Sequence, residues 1–384
     1  MAENARFTKT RTAVLAAFFI NGALMATWVS RIPAVQSKFQ LTEGTLGLLL
    51  LAPSGGILLA LLFAGGLIAK LGSHRVVLIA ALSNSIMLPL IALAPGPFLL
   101  GFCLMIFGAG ISLMDVAMNE QAVLVERKAG KPMMSSFHAG YSVGSVVGAL
   151  IGAGMAALPH ATIFQHFILV AVCAAVVSYF STRNLQPVKA EETKKRVVFQ
   201  LPEQALWVLG AIAFASALGE STSSDWSGVY LKNVLGTDSS TAALGYAAFS
   251  AMMTLGRLMG DWLTRKLKPA VIIRVGGITA AMGFVVAGMT SIPWLAISGF
   301  ALTGFGLANI IPLLYSTAGN LHGSEPGRGI AGVATIGYAG FLLGPPLVGM
   351  LADAYSLRVA LYVIALIVAT LFISGRAVNR RVGK

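Results

Sequence analysis

Twelve runs of mostly apolar residues, each long enough to cross a lipid bilayer, dominate this sequence. An α-helix rises about 1.5 Å per residue, so roughly 20 residues cross the hydrocarbon core. Hydrophobic residues make up 57% of the chain and charged residues only 11%, against about 25% charged in soluble domains. The sequence therefore predicts an all-α membrane protein with twelve transmembrane helices. The spans lie near 12–30, 44–68, 75–94, 98–121, 133–157, 161–182, 204–224, 241–264, 270–290, 294–316, 329–352 and 357–377.

The basic residues, which give a net charge of +13, lie mainly at one set of span ends. An even number of spans puts both termini on one side, and loops rich in Lys and Arg face the cytoplasm. We expect a multi-pass protein of the inner (plasma) membrane with both termini cytoplasmic. The surplus charge is then an orientation signal and does not indicate nucleic-acid binding. Of the 27 Lys and Arg residues, the predicted external side holds four: Arg31, Lys38, Lys232 and Arg358.

A polar stretch at 183–203 divides the chain into two parts that resemble each other. We predict an N-terminal six-helix half at 1–182, a cytoplasmic linker at 183–203 and a C-terminal six-helix half at 204–384. Features recur about 194 to 198 residues apart, as expected for an internal repeat of membrane helices. The matched features are Trp28 with Trp226, Phe107-Gly108 with Phe305-Gly306, Gly140-Tyr141 with Gly337-Tyr338, and Gly66 with Gly260.

The loop after the second span, GLIAKLGSHR from Gly66 to Arg75, resembles the signature loop of the major facilitator superfamily. The resemblance covers essentially the whole chain and implies that superfamily's fold, with two pseudo-symmetric six-helix halves. It also implies structural or gating roles for Gly66, Gly72 and Arg75. Ala69 stands where the family usually has Asp, so the family's charge-relay latch is incomplete in this half.

The second half carries a related segment in span eight. Arg257 and Asp261 lie four residues apart, so both fall on one helix face and can pair. Gly344 and Pro345 in span eleven are further candidates for structural or gating roles.

Span four resembles the fucose:proton symporter branch, whose motif is an acid followed four residues later by Asn. Asp115 and Asn119 stand at those positions, whereas the stretch 21–33 in span one lacks the acid found in that branch. A closer resemblance is to poorly characterised bacterial inner-membrane proteins, some of them linked to inositol-amine metabolism. The resemblance implies a secondary transporter that moves a sugar- or polyol-like solute by alternating access, with proton-coupled symport as the expected mode.

The alternative is a proton-coupled exporter of drugs or metabolites. Drug:proton antiporters typically carry Gly-Pro in span five, but here that span has glycines at 140, 144, 148 and 152 and no proline. The spacing indicates a close-packing helix face. Drug efflux is therefore less favoured, but it stays open.

Asp115, His138 and Glu220 are the candidates for proton coupling, because an ionisable group within a span normally faces a cavity or a partner. Asp115 and His138 are expected at similar depth, and such a pair could exchange a proton near neutral pH. The alternative for Asp115 is a structural tie through Asn119 or Arg75. Glu220 is expected in the outer half of span seven, where it binds solute or a proton, or else pairs with Arg31.

The substrate-binding candidates combine amide, carboxylate and aromatic side chains. Buried amides need hydrogen-bond partners, which a polyhydroxy solute can supply, and aromatic faces are common in sugar sites. The alternative for each aromatic is simple helix packing. The candidates are Asn21, Trp28, Asn119, Tyr141, Glu220, Asn309 and Tyr338.

Nothing in the sequence indicates an enzyme, a cofactor or a metal site. Residues 140–144 match G-x-S-x-G, but they lie within an apolar helix and not on the strand–turn–helix that a serine nucleophile requires. A Walker A motif is absent, and the two cysteines lack metal-site spacing. The expected partners are a small-molecule solute, protons and the lipid bilayer, with the chain acting as a monomer.

Overall fold

The computed structural model describes residues 2–130, 133–187, 206–321 and 326–382, with side chains left undescribed at 2–5, 135, 261, 319–321, 326–331 and 374–382. The described residues form sixteen α-helices and no strand. They are α1 Ala2–Val29, α2 Ile32–Phe39, α3 Glu43–Leu49, α4 Leu51–Leu71, α5 Ser73–Leu93, α6 Pro97–Ala129, α7 Met134–Ala157, α8 Ile163–Thr182, α9 Trp207–Asn233, α10 Ser239–Leu258, α11 Gly260–Lys266, α12 Pro269–Met289, α13 Pro293–Leu307, α14 Ile310–Leu321, α15 Pro326–Ala354 and α16 Leu357–Val382.

Each of the twelve predicted spans coincides with one helix or with two consecutive helices. Spans two, eight and ten are each built from two, with breaks at Leu50, Met259 and 308–309. Within the described residues, nine segments are long and apolar enough to cross a membrane. The other three spans correspond to α9 and α10, which carry more polar residues, and to α16, whose apolar part Leu357–Ile373 is shorter.

The chain divides into two compact units, one of residues 1–39 and 49–196 and the other of residues 40–48 and 197–384. Residues 40–48, which the sequence places in the N-terminal half, therefore cluster with the second unit. Most of the predicted linker at 183–203 lies outside the described residues, which end at 187 and resume at 206.

Both units use the same scheme of helix pairing. In the first, α1 packs against α7, α4 against α6, and α5 against both α6 and α8. In the second, α9 packs against α15, α10 against α13, and α12 against both α13 and α16. The equivalent helices stand six spans apart, which supports the internal repeat inferred from the sequence.

The glycines of α7 form the predicted close-packing face. A Cβ on Gly144 would collide with the Phe19 carbonyl of α1, and one on Gly148 would lie 2.6 Å from the Ala23 carbonyl. On α15, a Cβ on Gly340 would collide with the Phe214 carbonyl of α9. Each glycine thus allows two helix backbones to approach closely, which favours helix association in lipid.

We expect Gly144→Ala to lower the unfolding free energy by about 1–3 kcal/mol, because the added methyl group must push α7 away from α1. Thermal unfolding of the purified protein in detergent measures the effect. Gly154→Ala is the matched control, since a Cβ there meets no atom within 4 Å. Equal midpoints for the two variants would contradict the close packing of α7 on α1.

Candidate functional site

Glu220 forms an ion pair with Arg257 inside the second unit. The Arg257 Nη2 and Glu220 Oε1 atoms are 3.4 Å apart, and the two side chains are 40% and 21% exposed. Glu220 stands on α9 and Arg257 on α10, so tertiary packing brings together two residues that are 37 positions apart. The pair is neutral overall, but it remains accessible to water.

One tyrosine lies within electrostatic range of this ion pair, and a second lies near the first. Tyr315 of α14 is within range of electrostatic interaction with both Glu220 and Tyr338 of α15. Tyr338 is exposed and Tyr315 is half-buried. We call Glu220, Arg257, Tyr315 and Tyr338 the Glu220 cluster. Four helices of one unit contribute to it, and sequence reasoning did not identify Tyr315.

The helix that carries Glu220 is longer than the predicted span seven, and the depth of Glu220 in the membrane stays a prediction. We expected span seven to end near residue 224, because a run of polar residues follows Glu220. The helix instead continues to Asn233, so Glu220 lies at the midpoint of α9. The polar residues stay helical because they find partners within the unit. Ser221 donates to Asp225 at 3.2 Å, Thr222 donates to the Leu218 carbonyl at 2.7 Å, and the Ser223 and Thr303 hydroxyls lie 3.0 Å apart.

The sequence suggested two pairings for these charges, Glu220 with Arg31 and Arg257 with Asp261. In this structure each of the first two has a partner within its own unit, Arg257 for Glu220 and His166 for Arg31. The predicted Arg257–Asp261 pair involves a side chain outside the described part of the chain. Arg257 is engaged by Glu220.

Asp115 and Asn119 lie on one face of α6, as their spacing predicts. The Asn119 amide donates to the Asp115 carbonyl at 2.9 Å and to Asp115 Oδ1 at 3.3 Å. The Asp115 side chain is exposed in this structure. The ring of His138 packs edge-on against Phe18 of α1 with 5.2 Å between centroids. The exchange of a proton between Asp115 and His138 stays a prediction.

Three of the substrate-binding candidates are buried and hold helices together. Asn21 is 1% exposed, and its amide donates to the Ile111 carbonyl of α6 at 3.4 Å. Asn309, at the break between α13 and α14, donates to the Gly256 carbonyl of α10 at 2.8 Å. Trp28 is fully buried in the first unit. Helix packing accounts for these residues here, and their contact with a solute stays a prediction. Tyr141 of α7 is half-buried.

The signature-like loop owes its shape to Gly72. With φ at 83°, Gly72 adopts a backbone conformation that L side chains rarely adopt, and it separates α4 from α5. A Cβ on Gly66 would meet no atom within 4 Å, and Arg75 is exposed. Only Gly72 of these three therefore shows a clear structural reason for its residue type.

Gly344 and Pro345 lie within α15. A Cβ on Gly344 would come 2.9 Å from Ser221 Oγ on α9, so the small residue permits close approach of the two helices. Pro345 lies inside the helix, where it cannot donate the usual backbone hydrogen bond. Both features are compatible with gating, which stays a prediction.

Arg31 and His166 form a buried pair in the first unit. The Arg31 side chain, 4% exposed, donates from Nε to Nδ1 of the fully buried His166 at 3.0 Å. The sequence places Arg31 in an external loop and gives no signal for His166, because their contact joins residues 135 positions apart. Among the described residues, no cluster of His, Cys, Asp and Glu could hold a metal ion.

Comparisons with known proteins identify related transporters. The family profile described as Major Facilitator Superfamily matches residues 13–325. An uncharacterised MFS-type transporter of Yersinia pestis is 36% identical over 365 residues, covering 95% of this chain and 94% of the relative. An uncharacterised transporter of Sinorhizobium fredii is 37% identical over 357 residues, covering 93% and 94%. A solved variant of the nucleoside transporter NupG matches with a TM-score of 0.81 at 11% identity, covering 96% of this chain and 99% of that one.

We expect His166→Leu to lower the unfolding free energy by about 2 kcal/mol, since it leaves a buried guanidinium without its acceptor. Chemical or thermal unfolding in detergent measures this loss. His160→Leu is the control, because His160 is exposed at the loop before α8. A His166→Leu variant as stable as the control would show that the buried contact contributes nothing.

Proposed function

Because the chain belongs to the major facilitator superfamily, we propose that it is a proton-coupled carrier of a small polar, sugar- or polyol-like solute. Membership of this family makes it a secondary transporter and not an enzyme. Such carriers expose a central site alternately to the two sides of the membrane. The observation that carries proton coupling in our proposal is the ion pair between Glu220 and Arg257.

A carboxylate at the middle of a membrane helix is costly unless it is paired or hydrated. Arg257 compensates Glu220 while the carboxylate is ionised. A proton on Glu220 removes that attraction, so Arg257 is released and the second unit gains a different set of contacts. Glu220 thus alternates between a proton and a guanidinium, which is the chemistry that a proton-coupled switch requires. The partial exposure of both side chains gives water access to the pair.

The chemistry of the exposed side chains favours a hydroxyl-rich solute. Glu220 can accept a hydrogen bond from a solute hydroxyl, while Tyr315 and Tyr338 can donate or accept one. Asp115 in the first unit is exposed and already engaged by Asn119, so it offers a second carboxylate for a hydroxyl or a proton. A polyol matches this mixture of hydrogen-bond donors and acceptors better than an amphipathic cation does.

We assign the direction as symport into the cytoplasm across the inner membrane, with both termini cytoplasmic. Proton and solute would bind together from outside, and release at the higher internal pH would reset the carrier. Export of a drug or metabolite in exchange for protons would use the same carboxylates in the reverse cycle. The close packing of the proline-free helix α7 against α1 does not favour the drug-antiporter alternative.

The direct test measures the pH outside lightly buffered proteoliposomes that contain the purified protein. Hexoses, inositols, amino-inositols and amphipathic cations are added in turn. Alkalinisation on addition of a hexose or an inositol supports symport and names the solute class. A response to the cations alone contradicts it and favours export, and silence to the whole panel contradicts the proposed solute class.

We expect Glu220→Gln to abolish proton-driven accumulation while leaving solute counterflow within about twofold of the wild type. Glutamine keeps the shape of the side chain but cannot exchange a proton. Proton coupling is therefore lost, while translocation of the solute is kept. Accumulation under an imposed pH gradient and counterflow without one are the two measurements. Asp238→Asn is the matched control, since Asp238 caps α10 and Asn caps a helix equally well. Wild-type accumulation by Glu220→Gln would refute the assignment.

Asp115→Asn tests the second carboxylate. If Asp115 takes part in coupling, its loss should reduce accumulation at least tenfold and leave counterflow unchanged. If Asp115 only ties one turn of α6 to the next through Asn119, both activities should fall together with the yield of folded protein. Size-exclusion profiles and the two transport assays separate these outcomes.

A further inference from the structure

The first unit contains a cavity of about 880 Å³. It lies at the same end of the unit as the N-terminal residues of the chain. It is bounded by the beginnings of α1 and α5, the end of α6, and the end of α8 with residues 183–187 that follow it. Its volume falls within the range of roughly 300–1,000 Å³ that is usual for small-molecule sites. The Glu220 cluster belongs to the other unit, so this cavity is a separate feature.

The charge lining this cavity has one sign. Arg6, Lys9, Lys128 and Arg183 line it beside the imidazole of His74, and none of the described lining residues is acidic. Four different helices or their ends supply these groups, so the cluster is assembled by the fold and is not one basic run in the sequence. Several like charges around one concavity raise the local concentration of anions.

One wall of the cavity is held rigidly by a buried amide. The Gln121 side chain donates to Ser73 Oγ at 2.8 Å and to the Gln186 carbonyl at 2.9 Å, and it accepts from the Gln186 backbone at 2.9 Å. The beginning of α5 and the segment after α8 are therefore fixed to α6. Arg183 in turn lies over the Tyr179 ring at 4.3 Å, which restricts its guanidinium. The site is prepared before any ligand arrives.

Two polar features at the start of α5 lack a side-chain partner in the described structure. His74 Nδ1 is buried without a hydrogen-bond partner in the described structure. No side chain caps the N-terminus of α5, where Gly72 precedes the first turn. A helix N-terminus carries partial positive charge and binds oxyanions through its backbone N–H groups. An uncapped helix end is suited to a tetrahedral oxyanion.

We propose that this cavity binds an anionic phosphate group. Arginine and lysine are the usual phosphate ligands in proteins. The phosphate can come from an anionic lipid headgroup, since basic pockets between membrane helices bind such headgroups, or from a soluble phosphate compound. The ends of α6 and α8 bring backbone carbonyls to the same region, and Lys128 and Arg183 offset their partial negative charge.

Two probes separate the sources of the phosphate. Native mass spectrometry of the full-length protein compares retention of phosphatidylglycerol with that of phosphatidylcholine. Titration calorimetry with inorganic pyrophosphate measures a soluble phosphate ligand. The variants are Lys9→Glu and Arg183→Glu, and the matched control is Lys70→Glu, which reverses an exposed charge at the end of α4 outside the cavity lining.

We expect Lys9→Glu and Arg183→Glu each to weaken the preferred probe about tenfold or more, and Lys70→Glu to weaken it less than twofold. Preference for phosphatidylglycerol supports the lipid source, and pyrophosphate binding supports the soluble source. The proposal is overturned if neither probe binds the wild type, or if all three variants weaken binding equally. Should the charge reversals fail to fold, Lys9→Gln and Arg183→Gln provide the same comparison.

Discussion

Helices in lipid cannot associate by hiding apolar surface from water, so this fold depends on close backbone contact and on satisfied polar groups. The glycines of α7 and α15 provide the first. Those of α7 let it pack directly on the backbone of α1, and Gly340 of α15 does the same on α9. Buried amides provide the second. Asn309 ties the break between α13 and α14 to α10, while Gln121 joins three segments of the first unit. These contacts join the helices that carry Asp115 and Arg257 to their neighbours.

The same constraint separates structural from functional polar residues. Amides that lie inside a unit, such as Asn21 and Asn309, are buried and bonded to backbone carbonyls. Carboxylates with a proposed role in coupling, Asp115 and Glu220, retain exposure and a single polar partner each. On this proposal, burial and hydrogen bonding together distinguish a residue that holds helices together from one that can exchange its partner. Residue type alone does not make this distinction.

The fold could be predicted from the sequence because apolar length and the internal repeat both extend over long stretches of chain. The pairing of Asp115 with Asn119 was predictable for a different reason, since four-residue spacing places both on one helix face. The partner of Glu220 was not predictable, because Arg257 comes from another helix. The polar run after Glu220 also hid the true length of α9, since its hydroxyls are satisfied inside the unit.

The contact between Arg31 and His166 also limits what this histidine can do in a membrane protein. The imidazole uses Nδ1 as an acceptor for a permanently charged guanidinium, so a proton placed on that nitrogen would face a like charge across 3.0 Å. This histidine is therefore poorly suited to relay protons through the first unit. Under the proposed proton-coupled mechanism, a histidine held in this way does not provide a leak path for protons across the membrane.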